Sequence, residues 1–306
     1  YEYCLSKFAE QEGKLAGEFY TPSCVVRTLV EVLQPYHGRV YDPCCGSGGM
    51  FVQSAKFVES HSGNINDISV YGQDSNPTTW KMAQMNLAIR GIEADLGQYN
   101  ADTFFNDCHP TLKADFVMAN PPFAGDIKEN TIISHYELGK NSAGKWQNKV
   151  GRDVLFIERN LNFLKPGGRM AIVLPQGRFN NSSDKYIREF IAERCRILAV
   201  VGLHGNVFKP HTGTKTSVLF VQKWDDELCP KKEDYPIFFA TMQKQSKDNS
   251  GDKIYVKDPV TGENVLDHHG HLIVDHDLYS HDGLTPDGIA EAFIEFAKKE
   301  GLSFFR

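Results

Sequence analysis

Short apolar runs alternate with helical patterns along the first two thirds of the chain. In the helical patterns apolar residues recur every three or four positions, as at Val25, Leu29 and Leu33. Alternation of this kind predicts an α/β fold whose sheet is mostly parallel. The runs that predict the first five strands are residues 39–41, 70–73, 97–100, 114–119 and 170–174.

The pattern changes near residue 195. Two apolar runs, 197–203 and 217–223, follow one another with no helical pattern between them. Consecutive strands joined by a loop pair in antiparallel fashion, so we expect a hairpin that closes one edge of the sheet. Together with the five earlier strands, this predicts a mostly parallel seven-stranded sheet.

Three parts of unequal size are expected. Residues 1–16 resemble the end of a helix, and residues 17–224 carry the alternating pattern. Beyond residue 224 only short strands and one amphipathic helix, 288–299, are predicted, so 225–306 is expected to be a small α+β extension. The first residue is tyrosine, and we therefore expect a fragment of a longer protein.

Composition narrows the class of protein. No apolar run reaches the roughly 18 residues of a membrane span, and no signal-peptide core is visible, so a cytoplasmic protein without membrane contact is expected. Seven cysteines without a CxxC pair argue against disulfides and zinc. The histidines in the stretch 268–281 fit no standard zinc spacing either, and no metal is expected.

The net charge limits what the chain binds alone. The formal charge is −6, whereas proteins that bind nucleic acid tightly neutralise phosphates with cationic side chains. Any DNA contact therefore depends on a local basic patch or on a partner. The polar segment 124–150, with four lysines and Trp146, is a candidate for such contact and is predicted to be a mobile loop. A solvated loop is the alternative.

A glycine-rich turn follows the first predicted strand. Asp42 ends that strand, and the turn that begins at Pro43 carries glycines at 46, 48 and 49 before a helix. Glycines in such a turn allow positive φ angles and close approach of a ligand to the backbone at a helix N-terminus. A purely structural turn is the alternative, and Asp42 directly before the turn favours a binding site.

Acidic residues end the next two strands. Asp74 lies about 25 residues after Gly49, close to the spacing at which dinucleotide folds place an acid on ribose hydroxyls. Asp102 is a candidate partner for an exocyclic amine, and Phe104 for the face of a purine ring. A surface or turn aspartate is the alternative for each.

The tetrapeptide Asn120-Pro121-Pro122-Phe123 directly follows the apolar run 114–119. Open α/β sheets bind ligands at this end of their strands. Two prolines fix two φ angles, so the amide of Asn120 and the ring of Phe123 are held in a set relation. Such a pair suits a flat, hydrogen-bonding nucleobase. An ordinary strand-ending turn is the alternative.

Taken together, these motifs resemble the adenine-N6 DNA methyltransferases. The segments GEFYTP, DPCCGSGGM, ANPPF, LKPGGRMAIVLPQG and PHTGTKTS extend the likeness to the modification subunits of type I restriction-modification systems, from about residue 13 to residue 223. That resemblance implies a Rossmann-like S-adenosylmethionine-dependent methyltransferase fold. It also implies that residues 1–16 are the remnant of an upstream helical region.

The resemblance also implies roles for individual residues. S-adenosylmethionine would be the cofactor, S-adenosylhomocysteine the product, and Asn120 and the Pro121 carbonyl would accept hydrogens from N6 of a flipped adenine. The implied catalytic residues are Asn120, Pro121, Pro122 and Phe123, and the implied cofactor-binding residues are Phe19, Tyr20, Thr21, Asp42, Gly46, Ser47, Gly48, Gly49, Asp74, Asp102, Thr103 and Phe104.

The implied partners are double-stranded DNA, a specificity subunit, a restriction subunit and a second copy of the modification subunit. Such partners would supply the DNA affinity that a chain with a net charge of −6 is not expected to have alone. Two alternatives stay open. One is a methyltransferase acting on an RNA base or a protein glutamine, and the other is a non-catalytic subunit that binds DNA or partners.

Overall fold

Parallel strands with helices between them dominate the computed structural model, which describes Cys4, Lys7 and residues 20–286 and 288–305. The strands are β1 (Gly38–Asp42), β2 (Ile68–Gly72), β3 (Ala94–Asp95), β4 (Ala114–Ala119), β5 (Asp126–Ile127), β6 (Val150–Gly151), β7 (Leu164–Pro175), β8 (Cys195–Gly202), β9 (Thr216–Lys223) and β10 (Phe238–Thr241). Within the described part of the chain, eight of them form one sheet in the order β10-β8-β9-β7-β4-β1-β2-β3.

Helices cover both faces of this sheet. They are α1 (Ser23–Leu33), α2 (Gly49–Ser60), α3 (Pro77–Ile89), α4 (Asn130–Ile133), α5 (Arg152–Phe163), α6 (Gly177–Asn180), α7 (Lys185–Arg194) and α8 (Ile289–Lys299). Short 3-10 turns lie at Ile65–Asp67, Glu137–Gly139 and Ser182–Asp184. In the ranges that the structure describes, no helix is long and apolar enough to cross a bilayer.

Strand order places a cleft beside β1. The chain runs outward from β1 through β2 to β3 and then returns to place β4 on the other side of β1. Connections therefore leave β1 and β4 in opposite directions. In open α/β sheets ligands bind at such a switch point, outside the carboxyl ends of the strands.

Side chains alternate between two apolar layers. On β1, Val40 faces the layer formed with α1, α2, α3 and α8, whereas Tyr41 faces the layer formed with α5 and α7. Successive strand residues point to opposite faces, and both faces are covered, so the central strands are apolar throughout. That covering explains why the strands appear in the sequence as continuous apolar runs.

The predicted fold class is confirmed, and two details differ. The sheet has an additional strand, because β10 pairs in parallel with β8 and covers the β8–β9 hairpin that was expected at the edge. The third strand lies at Ala94–Asp95 instead of 97–100, since the chain turns at Gly97, whose φ is 80°. Both strands are too short to give a clear apolar period.

The segment 124–151 is folded and packed on the core, so the prediction of a loop without regular structure is wrong, while its mobility stays a prediction. Strands β5 and β6 pair at its two ends, and Ile133 and Leu138 are buried against the layer that contains α5. Glu158 of α5 accepts hydrogen bonds from the backbone N–H groups of Glu137 and Leu138 at 2.9 and 2.8 Å. The apolar residues are too sparse in the sequence to indicate this packing.

Residues after 224 contribute to the same core. Phe238 of β10 packs against Phe293 of α8, with ring centroids 5.5 Å apart, and Phe293 belongs to the apolar layer of α1 and α2. An antiparallel bridge joins Tyr255 and Val274 in this region. The domain boundary at 224 itself stays a prediction.

Removing the Phe293 ring tests whether the residues after 224 share one core with the rest of the chain. Phe293 is fully buried, so Phe293→Ala should lower the free energy of unfolding by about 3–5 kcal/mol, measured by urea denaturation. Phe239→Ala is the matched control, because Phe239 is 70% exposed and should lose less than about 1 kcal/mol. A separate early transition in Phe293→Ala, with the main transition unchanged, would contradict a shared core.

Candidate active site

A cavity lies at the carboxyl ends of β1, β2 and β4, at the switch point. The sequence-predicted residues that line it are Tyr20, Thr21, Asp42, Gly46, Ser47, Gly49, Asp74, Asp102, Thr103, Asn120 and Pro122. They come from five separate stretches of the chain. The fold therefore brings together most of the residues that the motifs singled out.

The glycine turn after β1 forms one wall. Gly46 and Gly48 have φ angles of 55° and 83°, which side chains with a Cβ rarely adopt. A Cβ added to Gly46 or Gly49 would meet no atom of the described residues within 4 Å, so the space beside the turn is open. Asn86 of α3 fixes the turn by donating to the carbonyl of Ser47 at 2.8 Å.

Two buried carboxylates hold the turn in place. Asp42 accepts a hydrogen bond from the Cys44 N–H at 3.0 Å. Asp74 accepts from the N–H groups of Gly46 and Asn76, each at 2.9 Å. These bonds tie the end of β2 to the turn after β1, and they explain how two acids remain in a mainly apolar environment.

Burial makes ionisation of both acids costly. Desolvation, with the neighbouring charge of Asp74 adding to it, raises the pKa of Asp42 to about 8. Desolvation also raises the pKa of Asp74, although its two backbone hydrogen bonds oppose the shift. A positively charged ligand in the cavity would favour the ionised form of both groups.

Asn120 directly follows β4, and its two amide atoms have different surroundings. Nδ2 donates to the hydroxyl of Thr21 at 2.9 Å. Oδ1 is buried and has no hydrogen-bond partner among the residues that the structure describes. An unpaired buried acceptor costs about 1–3 kcal/mol, and here it lies on the wall of a cavity. The site is therefore suited to a ligand that donates a hydrogen bond.

Phe123 lies outside the cavity wall, half-buried. Its ring packs edge-on against Phe208, with centroids 5.7 Å apart. Phe208 belongs to the loop between β8 and β9, which also carries Lys209 and Lys215. This basic loop therefore lies beside the Asn120 turn. Pro121 and Gly48 do not line the cavity, whereas Pro122 does.

Asp102 lies on the cavity wall with a charged partner, whereas Phe104 does not line the wall. Asp102 lines the cavity, but Arg152 at the start of α5 forms an ion pair with its Oδ2 atom. The ring of Phe104 is not on the wall, because it packs against Phe156 with centroids 4.7 Å apart. Phe156 itself lines the cavity. Phe104 therefore supports the wall through Phe156, and its contact with the face of a purine stays a prediction.

Ser75, Thr79, Arg152 and Phe156 are among the cavity residues that were not predicted. For two of them, Arg152 and Phe156, the sequence contained an indication. Arg152 is the first residue of α5, where a cation is unfavourable beside the positive end of the helix dipole. Phe156 follows one turn later on the same helix face. Phe19 lies outside the described residues.

The histidines of the stretch 268–281 are not gathered into one set of metal ligands. Across the described ranges, no group of three or more metal-ligating side chains comes together. His276 accepts a hydrogen bond at Nδ1 from the N–H of Leu278, so its neutral ring carries the proton on Nε2 and has no lone pair there for a metal. His268, His269 and His271 are exposed on a turn.

Known proteins are similar to this chain in sequence and in fold. The family model described as N-6 DNA Methylase matches residues 1–269. The type I restriction enzyme HindI methylase subunit of Haemophilus influenzae is 41% identical over 220 residues, which are 70% of this chain and 48% of that protein. The MjaIX methylase subunit of Methanocaldococcus jannaschii is 33% identical over 228 residues, which are 73% of this chain and 40% of that protein.

One solved structure shows the extent of the shared fold. The methyltransferase subunit of a type I restriction-modification system from Streptococcus thermophilus superposes with a TM-score of 0.61 at 21% identity. The alignment covers 94% of this chain and 59% of that chain. The chain spans less than half the length of the two curated relatives.

Neutralising Asp42 should stabilise the ligand-free protein at high pH. Because folding raises the pKa of Asp42 to about 8 from about 4, the unfolded chain binds fewer protons between these values, and stability falls as pH rises. Asp42→Asn avoids this loss and keeps an oxygen for the Cys44 N–H. At pH 9 its melting temperature should be several degrees above wild type, since roughly 2–4 °C accompany each kcal/mol in domains of about 200 residues.

The same melts at pH 5 should show a much smaller difference between Asp42→Asn and wild type, because most of the loss of stability occurs above this pH. Asp226→Asn, at an exposed position, serves as the control and should have no pH-dependent effect. A lower melting temperature for Asp42→Asn at pH 9 would show that the charged carboxylate stabilises the turn.

Proposed function

Because the chain belongs to the N-6 DNA methylase family, we propose that it transfers a methyl group from S-adenosylmethionine to N6 of an adenine in DNA. The resemblance found in the sequence motifs is confirmed at the level of the family. One observation carries the proposed reaction: the buried, unpaired Oδ1 of Asn120 on the cavity wall. It is an acceptor placed where an amino group would bind.

The cavity residues fit the proposed cofactor. The open space beside Gly46 and Gly49 allows a ligand to approach the backbone of the turn. Asp42 and Asp74, whose ionisation is costly without a ligand, suit a molecule with positive charge. We assign the methionine part to Asp42, Tyr20, Thr21 and the glycine turn, the ribose to Asp74, and the adenine end to Asp102, Thr103 and the wall of Phe156.

The adenine amine is a poor nucleophile because its lone pair is delocalised into the ring. Asn120 Oδ1 and the carbonyl of Pro121 would each accept one of its hydrogens. Holding both N–H bonds favours a pyramidal nitrogen, whose lone pair then points towards the methyl donor. S-adenosylmethionine, when bound, supplies that methyl on a positively charged sulfur. The extra proton is lost after transfer, so no strong base is needed at the site.

The target base has to leave the DNA helix to reach Asn120. Enzymes that modify a base extrude it and stack it against aromatic side chains. Phe123 follows Asn120 by three residues, is half-buried and is supported by Phe208. We assign it as the surface on which the flipped adenine stacks. Lys209 and Lys215, on the neighbouring loop, would contact phosphates beside the base.

Partners complete the proposal. The relatives are methylase subunits of type I restriction enzymes, and this chain has a formal charge of −6. We infer that a specificity subunit selects the DNA sequence and supplies most of the affinity. A second copy of the modification subunit and a restriction subunit would join the same complex, with S-adenosylhomocysteine as the released product.

The alternative functions receive less support. Transfer to an RNA base or a protein glutamine would use the same acceptor geometry, but the relatives are named as methylase subunits of restriction enzymes. A non-catalytic subunit would have no need to keep an unpaired acceptor and two costly carboxylates in one cavity. Both alternatives are separated from the proposal by nucleoside analysis of methylated DNA.

Truncating Asn120 tests the proposed acceptor. In the complex with a specificity subunit, Asn120→Ala should lower N6-methyladenine formation by at least about 100-fold, because it removes an acceptor used in the transition state. Binding of S-adenosylhomocysteine, measured by calorimetry, should change little. Asn66→Ala, at an exposed position on the opposite end of the sheet, is the control. Methylation at the wild-type rate in Asn120→Ala would overturn the mechanism.

Separating the subunits tests the source of DNA affinity. The purified chain alone should bind duplex DNA weakly and without sequence preference, and a specificity subunit should restore selective binding in fluorescence anisotropy titrations. The binding of the isolated chain should weaken further with salt, as expected for phosphate contacts. Tight, sequence-selective binding by the chain alone would show that no specificity partner is required.

A further inference from the structure

Thr21 makes a contact that its position in the sequence does not suggest. It precedes α1, whereas Asn120 follows β4, and the two are 99 residues apart. Their side chains are joined by a hydrogen bond of 2.9 Å, in which Asn120 Nδ2 donates to Thr21 Oγ1. The sequence motifs placed Thr21 only on the cofactor wall.

The two polar atoms of an asparagine amide differ in their hydrogen bonding, and only the oxygen can accept a hydrogen bond from an amino group. Oδ1 accepts hydrogen bonds, whereas Nδ2 carries two hydrogens and cannot accept one. If the amide were rotated by half a turn about its last torsion, Nδ2 would take the position of Oδ1. The NH₂ group would then face the amine of the substrate, donor against donor. The orientation of the amide therefore decides whether the site can hold an amino group.

The partners of the two atoms indicate what sets this orientation. Nδ2 is occupied by Thr21, and within the described residues Oδ1 has no partner. Thr21 is itself fixed, because Pro22 is buried and its carbonyl accepts from the N–H groups of Val25 and Val26 at 3.0 and 3.1 Å. The hydroxyl thus belongs to the rigid start of α1, not to a loose loop.

We propose that Thr21 is a positioning residue for Asn120: its hydroxyl holds Nδ2 and so directs Oδ1 towards the target amine. This inference rests on the proposed function of the site. Thr21 also lines the cavity, so the same short segment contacts the space assigned to the cofactor and the amide that holds the substrate. The simpler role, a wall residue for the cofactor alone, predicts a different kinetic result.

The test compares Thr21→Val with Thr21→Ser in the complex with a specificity subunit. Valine keeps the shape and removes the hydroxyl, whereas serine keeps the hydroxyl. Thr21→Val should lower kcat for adenine methylation by about 10–100-fold, the effect of losing one buried hydrogen bond at the reacting group. Thr21→Ser should stay within about threefold of wild type.

Cofactor affinity separates the two roles. The Kd for S-adenosylhomocysteine, measured by calorimetry, should change less than about threefold in Thr21→Val if the residue acts through Asn120. A loss of cofactor affinity that accounts for the whole loss of activity would overturn the proposal and leave Thr21 as a wall residue. Unchanged kcat in Thr21→Val would overturn it as well.

A second background sharpens the assignment. In Asn120→Asp the two carboxylate oxygens are equivalent, so no orientation has to be chosen and the hydroxyl of Thr21 loses its directing role. Thr21→Val should therefore cost much less in this background than in wild type, giving a non-additive double-mutant cycle. Equal costs in both backgrounds would contradict the proposal.

Failure of the proposed function gives a different result. If the wild-type complex forms no N6-methyladenine, the assigned reaction is wrong and the Thr21 inference falls with it. If the wild-type complex methylates adenine and Thr21→Val does so equally well, only the inference about Thr21 is wrong.

Discussion

The parallel pairing of β1 with β4 is the contact on which the site depends. Val40 pairs with Phe116 and Tyr41 with Val117, so the residues that follow each strand emerge at the same edge of the sheet. Asp42 and Asn120 are thereby brought to one cavity although 78 positions separate them in the sequence. Both strands are buried on both faces, and a slip of register by one residue would turn apolar side chains away from their layers. The packing of the core therefore fixes the spacing between the turn and the acceptor.

The site keeps polar groups in a state that folding alone does not favour. Asp42 has its pKa raised to about 8, and Asn120 Oδ1 is buried without a partner in the described chain. Each lowers the stability of the ligand-free protein, and each would be relieved by a ligand of matching character, a cation for the acid and an N–H donor for the amide. Local instability that clusters in one cavity is characteristic of functional sites. The raised pKa of the acid and the unpaired oxygen of the amide are independent observations, and both indicate that the cavity is a functional site.

The region after residue 224 anchors the loop that lies beside the Asn120 turn. The two hydrogens of Asn206 Nδ2 are shared among three acceptors at 3.1 to 3.2 Å, which are Gln245 Oε1, the carbonyl of Lys247 and Asn249 Oδ1. Lys247 in turn donates to the carbonyl of Lys209 at 2.9 Å. These bonds anchor the loop that carries Phe208, whose ring packs against Phe123. A segment without recognisable motifs therefore helps to hold an aromatic residue assigned to the target base.

The sequence by itself determined the α/β class, the positions of the central strands and the residues that follow them. Buried parallel strands leave continuous apolar runs, and the glycine turn and the Asn-Pro-Pro-Phe turn have strong local conformational preferences. Only the tertiary structure decided the place of β10, the folding of 124–151 and the contacts of Asp102 and Phe104. It also brought Arg152, Phe156 and the Thr21–Asn120 hydrogen bond into the cavity. These features join residues far apart in the chain, and local sequence patterns contain no information about which distant side chains meet.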